Sequence, residues 1–164
     1  MASLKSPDVD TLGKLPSVFA RNCTARRIDK GTAAVFLSSA HKFGVASARY
    51  RYGLFVERNT GKEETAFQKG TLVAVATFSS ARKMRDGSRS FEWVRYASLP
   101  GTRVIGGMGK LLDTFVEEVR PDDVMTYAPA QCGDGDVYIE LGFSSEGSVS
   151  FRDGEESVKF RKKF

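Results

Sequence analysis

The stretch Pro100-Gly-Thr-Arg-Val-Ile-Gly-Gly-Met-Gly-Lys-Leu-Leu112 holds four glycines and runs directly into a helical pattern. Glycine costs about 1 kcal/mol relative to alanine inside a helix. A cluster at a helix start therefore answers a need: the backbone turns sharply there, or it approaches something closely. A packing turn between strand and helix meets the first need, and a bound anion meets the second. Downstream, Leu111, Leu112, Phe115, Val116 and Val119 recur at helical spacing, Pro121 closes the helix, and Val124 to Tyr127 reads as a strand. Upstream, Phe91 to Ser98 reads as another strand. Strand, helix and strand in this order predict a right-handed parallel crossover around Gly106.

Working outward, Tyr50 to Glu57 and Thr71 to Phe78 are β-rich runs, joined by a long polar hairpin loop over 58–70. With Phe91 to Ser98 they make three consecutive antiparallel strands. Before them lie a short strand, Cys23 to Ile28, and a helix from Lys30 to Ala40 that carries Ala33, Ala34, Phe36 and Leu37. After the crossover come a short helix, Asp134 to Leu141, and a final hairpin from Phe143 through Ser157 to Arg161. The sum is an α/β fold: a mixed, mostly antiparallel sheet with flanking helices. Residues 21–164 form a single domain behind a flexible N-terminal lead-in, 1–20.

A chain of 164 residues suits one domain with a real core. No apolar run approaches the roughly 20 residues needed to span a bilayer, and the longest, Leu72 to Phe78, is strand-sized. A soluble protein with no membrane partner is expected. Cys23 and Cys132 lie far apart, without CxxC or Cys/His spacing for a metal or a disulfide framework. That suggests a reducing, intracellular and cytoplasmic setting. Asp8 and Asp10 argue against a secretory signal and leave an organelle open. The formal charge of +5 favours anionic partners such as nucleotides, phosphorylated cofactors or nucleic acid, although surfaces that bind nothing share this balance.

The run Pro100-x-x-Arg103-x-x-Gly106-x-Met108-x-x-Leu111-Leu112 resembles the acyl-CoA pyrophosphate loop of the GNAT acyltransferase superfamily, Arg/Gln-x-x-Gly-x-Gly/Ala before a Leu-Leu helix. Tyr138-Ile-Glu-Leu-Gly-Phe143 resembles the superfamily's Tyr-x-x-Leu-Gly-Phe segment. Order and spacing make the two motifs stronger together than apart. Met108 departs from the Gly or Ala preferred there. Its larger side chain restricts the approach of phosphates unless Gly107 and Gly109 restore the space.

A nearer resemblance extends from Cys23 to Phe143. It is carried by Ala-His41-x-x-Gly44, Gly-Leu-Phe55, Leu-Val-Ala-Val75, Glu92-x-x-Arg95, Pro-Gly-Thr102, Val-x-Gly-Gly107 and Lys-Leu-Leu112. These look like a GNAT-like group of phage genomes, plants and algae, sometimes associated with homing endonucleases. The phage DNA-modifying protein Mom is related to the same superfamily.

The resemblance implies acetyl-CoA or another acyl-CoA as cosubstrate and an amine as acceptor. It implies that the backbones of Gly106, Gly107, Met108 and Gly109 hold the pyrophosphate at the helix N-terminus, with Arg103 adding charge. Tyr138 takes the place of a general acid for the departing thiolate, or else packs the short helix on the sheet. Glu92 takes the place of a base for the amine, or pairs with an arginine. Strand alternation sets Glu92, Val94, Tyr96 and Ser98 on one face and Phe91, Trp93, Arg95 and Ala97 on the other. His41, the only histidine, stands near the acceptor cleft or simply ends a helix. Cys132 is a nucleophile candidate without a base partner.

Three function classes follow. The first is acyl-CoA-dependent N-acyl transfer by direct attack of an amine. The second is Mom-like modification of nucleic acid, suggested by Arg82, Lys83, Arg85 and Arg89 in one loop. The third is a GNAT fold that binds without catalysis.

Overall fold

The computed structural model describes residues 16–58, 67–130 and 135–164. Among these residues, Ser17–Phe19 (β1), Cys23–Arg27 (β2), Tyr50–Val56 (β3), Leu72–Phe78 (β4), Arg82–Lys83 (β5) and Arg89–Ser98 (β6) come before the glycine segment. Arg103–Ile105 (β7), Asp123–Pro129 (β8), Ser144–Ser150 (β9) and Glu156–Lys163 (β10) follow. The α-helices are Lys30–Ala40 (α1), Gly107–Val119 (α2) and Gly135–Glu140 (α3).

The main sheet runs β2-β3-β4-β6-β8-β10-β9, with β5 added to β6. Its strands are antiparallel except β6 and β8, which are parallel and joined by α2. The fold class expected from the sequence, a mixed and mostly antiparallel sheet with flanking helices, is the one observed.

Each face of the sheet has its own core. α2 lays Leu111, Leu112 and Phe115, all at most 1% exposed, over β2, β3 and β4. Phe115 stacks on Phe78 at 4.0 Å, while Tyr50, Tyr52 and Phe91 meet it edge-on at 5.3 to 6.2 Å. Offset and edge-to-face rings add about 0.5–1.5 kcal/mol per pair beyond burial. On the opposite face α1 sets Ala33, Phe36 and Leu37 against Val75 and Ala97. Its start is capped by Asp29, whose carboxylate accepts from the Thr32 amide at 2.7 Å.

Three strands, β1, β5 and β7, differ from expectation, and β5 falls in the stretch read as a basic loop. The last residues of the predicted lead-in form β1, which pairs in parallel with β7, and Val18 is wholly buried. Residues 1–15 lie outside the described residues, as do 59–66 of the long hairpin loop and Cys132. β7 was subsumed in the glycine loop, because three residues show no periodicity. No helix among the described residues is long and apolar enough to cross a membrane.

The sheet opens in its middle. β6 and β8 pair only at Ser90 with Asp123, Phe91 with Val124 and Glu92 with Met125. The Thr126 hydroxyl still donates to Trp93 O at 3.0 Å, and beyond it the strands diverge, each held by its outer neighbour. Below the divergence, Asp123 accepts from the Ser90 hydroxyl at 2.6 Å and from the Arg161 guanidinium, which also reaches Glu146 at 3.1 Å. This network fastens β6, β8, β10 and β9 where the opening begins.

Candidate active site

The opening between β6 and β8 is a cleft of about 650 Å³. What it can do depends on a one-residue irregularity in β6. Thr77 pairs with Arg95 and Phe78 with Trp93, so Val94 bulges out of register. A bulge exchanges the faces of all later residues. Phe91 and Trp93 point into the α2 core, and after the bulge Tyr96 packs against that core while Ala97 joins the α1 core. The alternation read from the sequence is thereby corrected. Arg95 comes to the α1 face beside Glu92, and Tyr96 leaves it.

On the α2 side the cleft is lined by Trp93, Tyr96, Met108, Val137 and Tyr138. α2 begins at Gly106, whose φ of 80° is left-handed backbone that glycine adopts without strain. No side chain caps this helix end. The first amide to find a helical carbonyl is that of Lys110, bonded to Gly106 O at 3.1 Å, so the amides of Gly107, Met108 and Gly109 have no partner within the helix. Gly107 answers the close-approach need: a Cβ there would fall 2.7 Å from Val104 Cγ1 and 2.8 Å from the Tyr96 hydroxyl. Met108 turns its side chain to the cleft wall and the core.

Arg103 is exposed on β7 beside this helix end. Lys110 has other work. Its Nζ donates to Ala20 O at 2.9 Å and Cys23 O at 2.5 Å, tying α2 to the turn after β1.

Tyr138, on α3, is half-buried among rings: Trp93 at 6.0 Å, Phe143 at 5.7 Å and Phe160 at 5.5 Å. It both packs α3 and lines the cleft.

The α1 side of the cleft brings together His41, Lys42, Phe43, Glu92 and Arg95. Burial pushes the Glu92 carboxyl above its ordinary value, and the Arg95 charge opposes that rise. The two groups form no ion pair among the described residues, so the paired-arginine alternative for Glu92 reduces to a field effect.

His41 ends α1, its amide bonded to Leu37 O at 3.0 Å. Burial and then Arg95 push its imidazole below the ordinary value, which keeps it neutral at pH 7. Its Nδ1 accepts from the Phe43 amide at 3.0 Å. The neutral ring therefore carries its proton on Nε2 and offers a donor rather than a base.

The basic loop is partly structural. Arg82 and Lys83 form β5, and the Arg89 guanidinium donates to Val119 O and Arg120 O, both at 2.8 Å, at the end of α2. Arg89 thus complements the helix dipole.

Sequence reasoning missed Tyr96, which the bulge turns under the helix end, and the position of Arg95. The Glu92-x-x-Arg95 spacing was visible, but strict alternation separated its ends.

No protein-family model matches the chain, and no curated protein sequence matches it. Solved structures do. One from the NatC complex bound to Gag peptide and CoA superposes with a TM-score of 0.62 at 10% identity, over 87% of this chain and 99% of that one. A protein of Desulfovibrio desulfuricans described as an acetyltransferase of the GNAT family gives 0.58 at 13%, over 86% and 98%. Arabidopsis thaliana Naa50, in complex with the bisubstrate analogue CoA-Ac-MVNAL, gives 0.61 at 11%, over 87% and 99%. With its splayed parallel pair, crossover helix and glycine turn, the chain has the fold of the GNAT acetyltransferases.

Proposed function

We propose that the protein transfers an acyl group, acetyl in the simplest case, from acyl-CoA to an amine. The observation that carries this reading is the cleft between β6 and β8. One wall is the α2 side, with an uncapped helix start, and the other is the α1 side, with a half-buried carboxylate. Two of the similar structures hold CoA or a CoA-linked analogue, which supports the choice of donor.

The residues fit such a donor. The helix start at Gly106 leaves the amides of Gly107, Met108 and Gly109 without a side-chain cap, an anion cradle reinforced by the helix dipole. Arg103 adds charge from β7. Met108 lines the cleft and packs against the core, and the close approach of a phosphate relies on Gly107 and Gly109 on either side of it. When bound, the thioester supplies an activated acyl carbon, whose C–S bond breaks as a C–N bond forms.

Glu92 removes a proton from the acceptor ammonium, so that the nitrogen lone pair is free to attack. A carboxyl raised by burial is better matched to this task than an exposed one. The Tyr138 hydroxyl donates a proton toward the leaving sulfur and is restored by the second proton that the nitrogen sheds as the amide forms. His41 orients the acceptor through Nε2–H. The resemblance of Arg103 to Leu112 to the pyrophosphate loop of the GNAT superfamily supports the same assignment of donor site.

The test is release of free CoA thiol from acetyl-CoA over a panel of amines. Amine-dependent release is expected, and its absence across peptide, polyamine, amino-acid and nucleobase amines would overturn the proposal.

A further inference from the structure

The bulge at Val94 carries Arg95 into the cleft from the α1 side, and the guanidinium is fixed before any ligand arrives. Nε donates to Gly44 O at 3.2 Å, Nη1 donates to Val94 O at 3.0 Å, and the Phe43 ring centre lies 5.8 Å from the cationic carbon. Carbonyls and a ring hold a cation without neutralising it. Among the described residues no carboxylate forms an ion pair with Arg95, and its Nη2 has no hydrogen-bond partner. A half-buried charge left in this condition is costly unless something else completes it.

The surroundings favour an anion. Lys42 and the neutral His41 line the same wall. Asp153 and Glu155 line the far rim, but both are exposed, and Asp153 already accepts the Glu155 amide at 3.0 Å. Exposed charges act through water and are worth little, whereas a directed bond from a fixed guanidinium is worth several times more. Glu92, three positions back on the same face, feels the Arg95 charge but makes no ion pair with it, and stands where the reacting nitrogen loses its proton.

We infer that Arg95 binds an anionic group of the acceptor, so that the cleft takes a small amine carrying a carboxylate or phosphate beside its reacting nitrogen. The inference rests on the acyl-transfer reading above, and it gives that reading a substrate class. Arg95 is then a specificity-determining residue: it sets which amines are held, not the chemistry of transfer.

The test is thermal unfolding of the full chain saturated with CoA and titrated with matched pairs. Each α-, β- or γ-amino acid is set beside the amine that lacks its carboxylate, and phosphoethanolamine beside ethanolamine. The anionic member is expected to raise the melting midpoint with about tenfold or greater apparent affinity over its neutral partner. Whether carboxylates or phosphoethanolamine respond identifies the anion. Arg95→Gln should level the pair by weakening the anionic member alone, and Arg95→Lys should restore part of the difference.

Neutral partners that stabilise equally, no stabilisation by either kind, or equal weakening of both by Arg95→Gln would each overturn the inference. The comparison of pairs on the parent protein requires no variant. Failure of the acyl-transfer reading shows separately, as absence of stabilisation by CoA before any amine is added.

Discussion

The Tyr96 hydroxyl stands 2.8 Å from the point that a Cβ on Gly107 would occupy, with Val104 Cγ1 at 2.7 Å from the same point. Gly107→Ala must therefore push apart the β6 side chain and β7, and overpacking of this kind costs about 1–3 kcal/mol. Gly106→Ala meets only Ala20 Cβ at 3.6 Å, so its cost, about 1–2 kcal/mol, comes from left-handed backbone instead. Urea unfolding with Tyr96→Phe added distinguishes the two: the second substitution should recover part of the Gly107→Ala loss and none of the Gly106→Ala loss.

Saturating acetyl-CoA at about 100 times its dissociation constant should stabilise the fold by roughly 2.7 kcal/mol. For a domain of this size that raises the melting midpoint by about 5–10 °C. Adenosine diphosphate should give less, since it lacks the pantetheine arm that lies along the opened strands. Gly106→Val should lose most of the shift while remaining folded; an undiminished shift would remove the helix start from the donor site.

Turnover should follow the ionisation of Glu92. Because burial raises its carboxyl, the acid limb of kcat/KM should lie above the ordinary value for a glutamate, and Glu92→Gln should abolish both limb and turnover. The stability sign is the reverse of the activity sign. A carboxyl raised in the folded state contributes stability that is present below its unfolded value and is lost as pH rises through the folded value. Glu92→Gln should hence remove that loss and leave the chain at least as stable at pH 7, as read by denaturant midpoints across pH 4 to 8.

Tyr138→Phe keeps the ring that packs between Trp93, Phe143 and Phe160 and deletes only the hydroxyl. CoA affinity should hold while kcat falls by about 10²-fold or more. Unchanged kcat would assign the residue to packing alone.

The longer strands, both long helices and the crossover were legible because their signals are local and periodic: α1 runs from Lys30 to Ala40 as its pattern indicates, and β6 and β8 are parallel. The orientation of the site was not. Whether Arg95 shares a face with Glu92 depends on one unpaired residue, Val94, which is set by the register of β4 against β6 and leaves no mark on the composition of either strand. β1 was hidden for a related reason, since three residues gain their stability from Arg103 to Ile105 far along the chain. The glycines announced a special backbone, but only the structure separates the turn at Gly106 from the close packing at Gly107.

Asp123 and Arg161 form a nearly buried pair at the closed end of the cleft, with side chains 9% and 13% exposed. Removing Asp123 leaves Arg161 held only by the more exposed Glu146 and the Ser90 hydroxyl, so Asp123→Ala should cost about 1–3 kcal/mol in urea unfolding. Replacing Asp123 and Arg161 together by apolar residues should recover much of it. A single-variant loss under 1 kcal/mol would show that the pair does not fasten the strands.

The bond from Lys110 to Ala20 O joins residues ninety positions apart, and β1 meets β7 over a similar span. Contacts this distant in sequence close a large loop, and the entropy of closing it is lost before any contact compensates. The glycine turn is thus shaped by a strand synthesised long before it, and it takes its final form only after both ends have met. In refolding from urea, burial of Trp93 should precede recovery of the donor site, and the same clasp should be among the first parts to open in the native protein, exposing its amides to hydrogen exchange while the aromatic core around Phe115 stays closed.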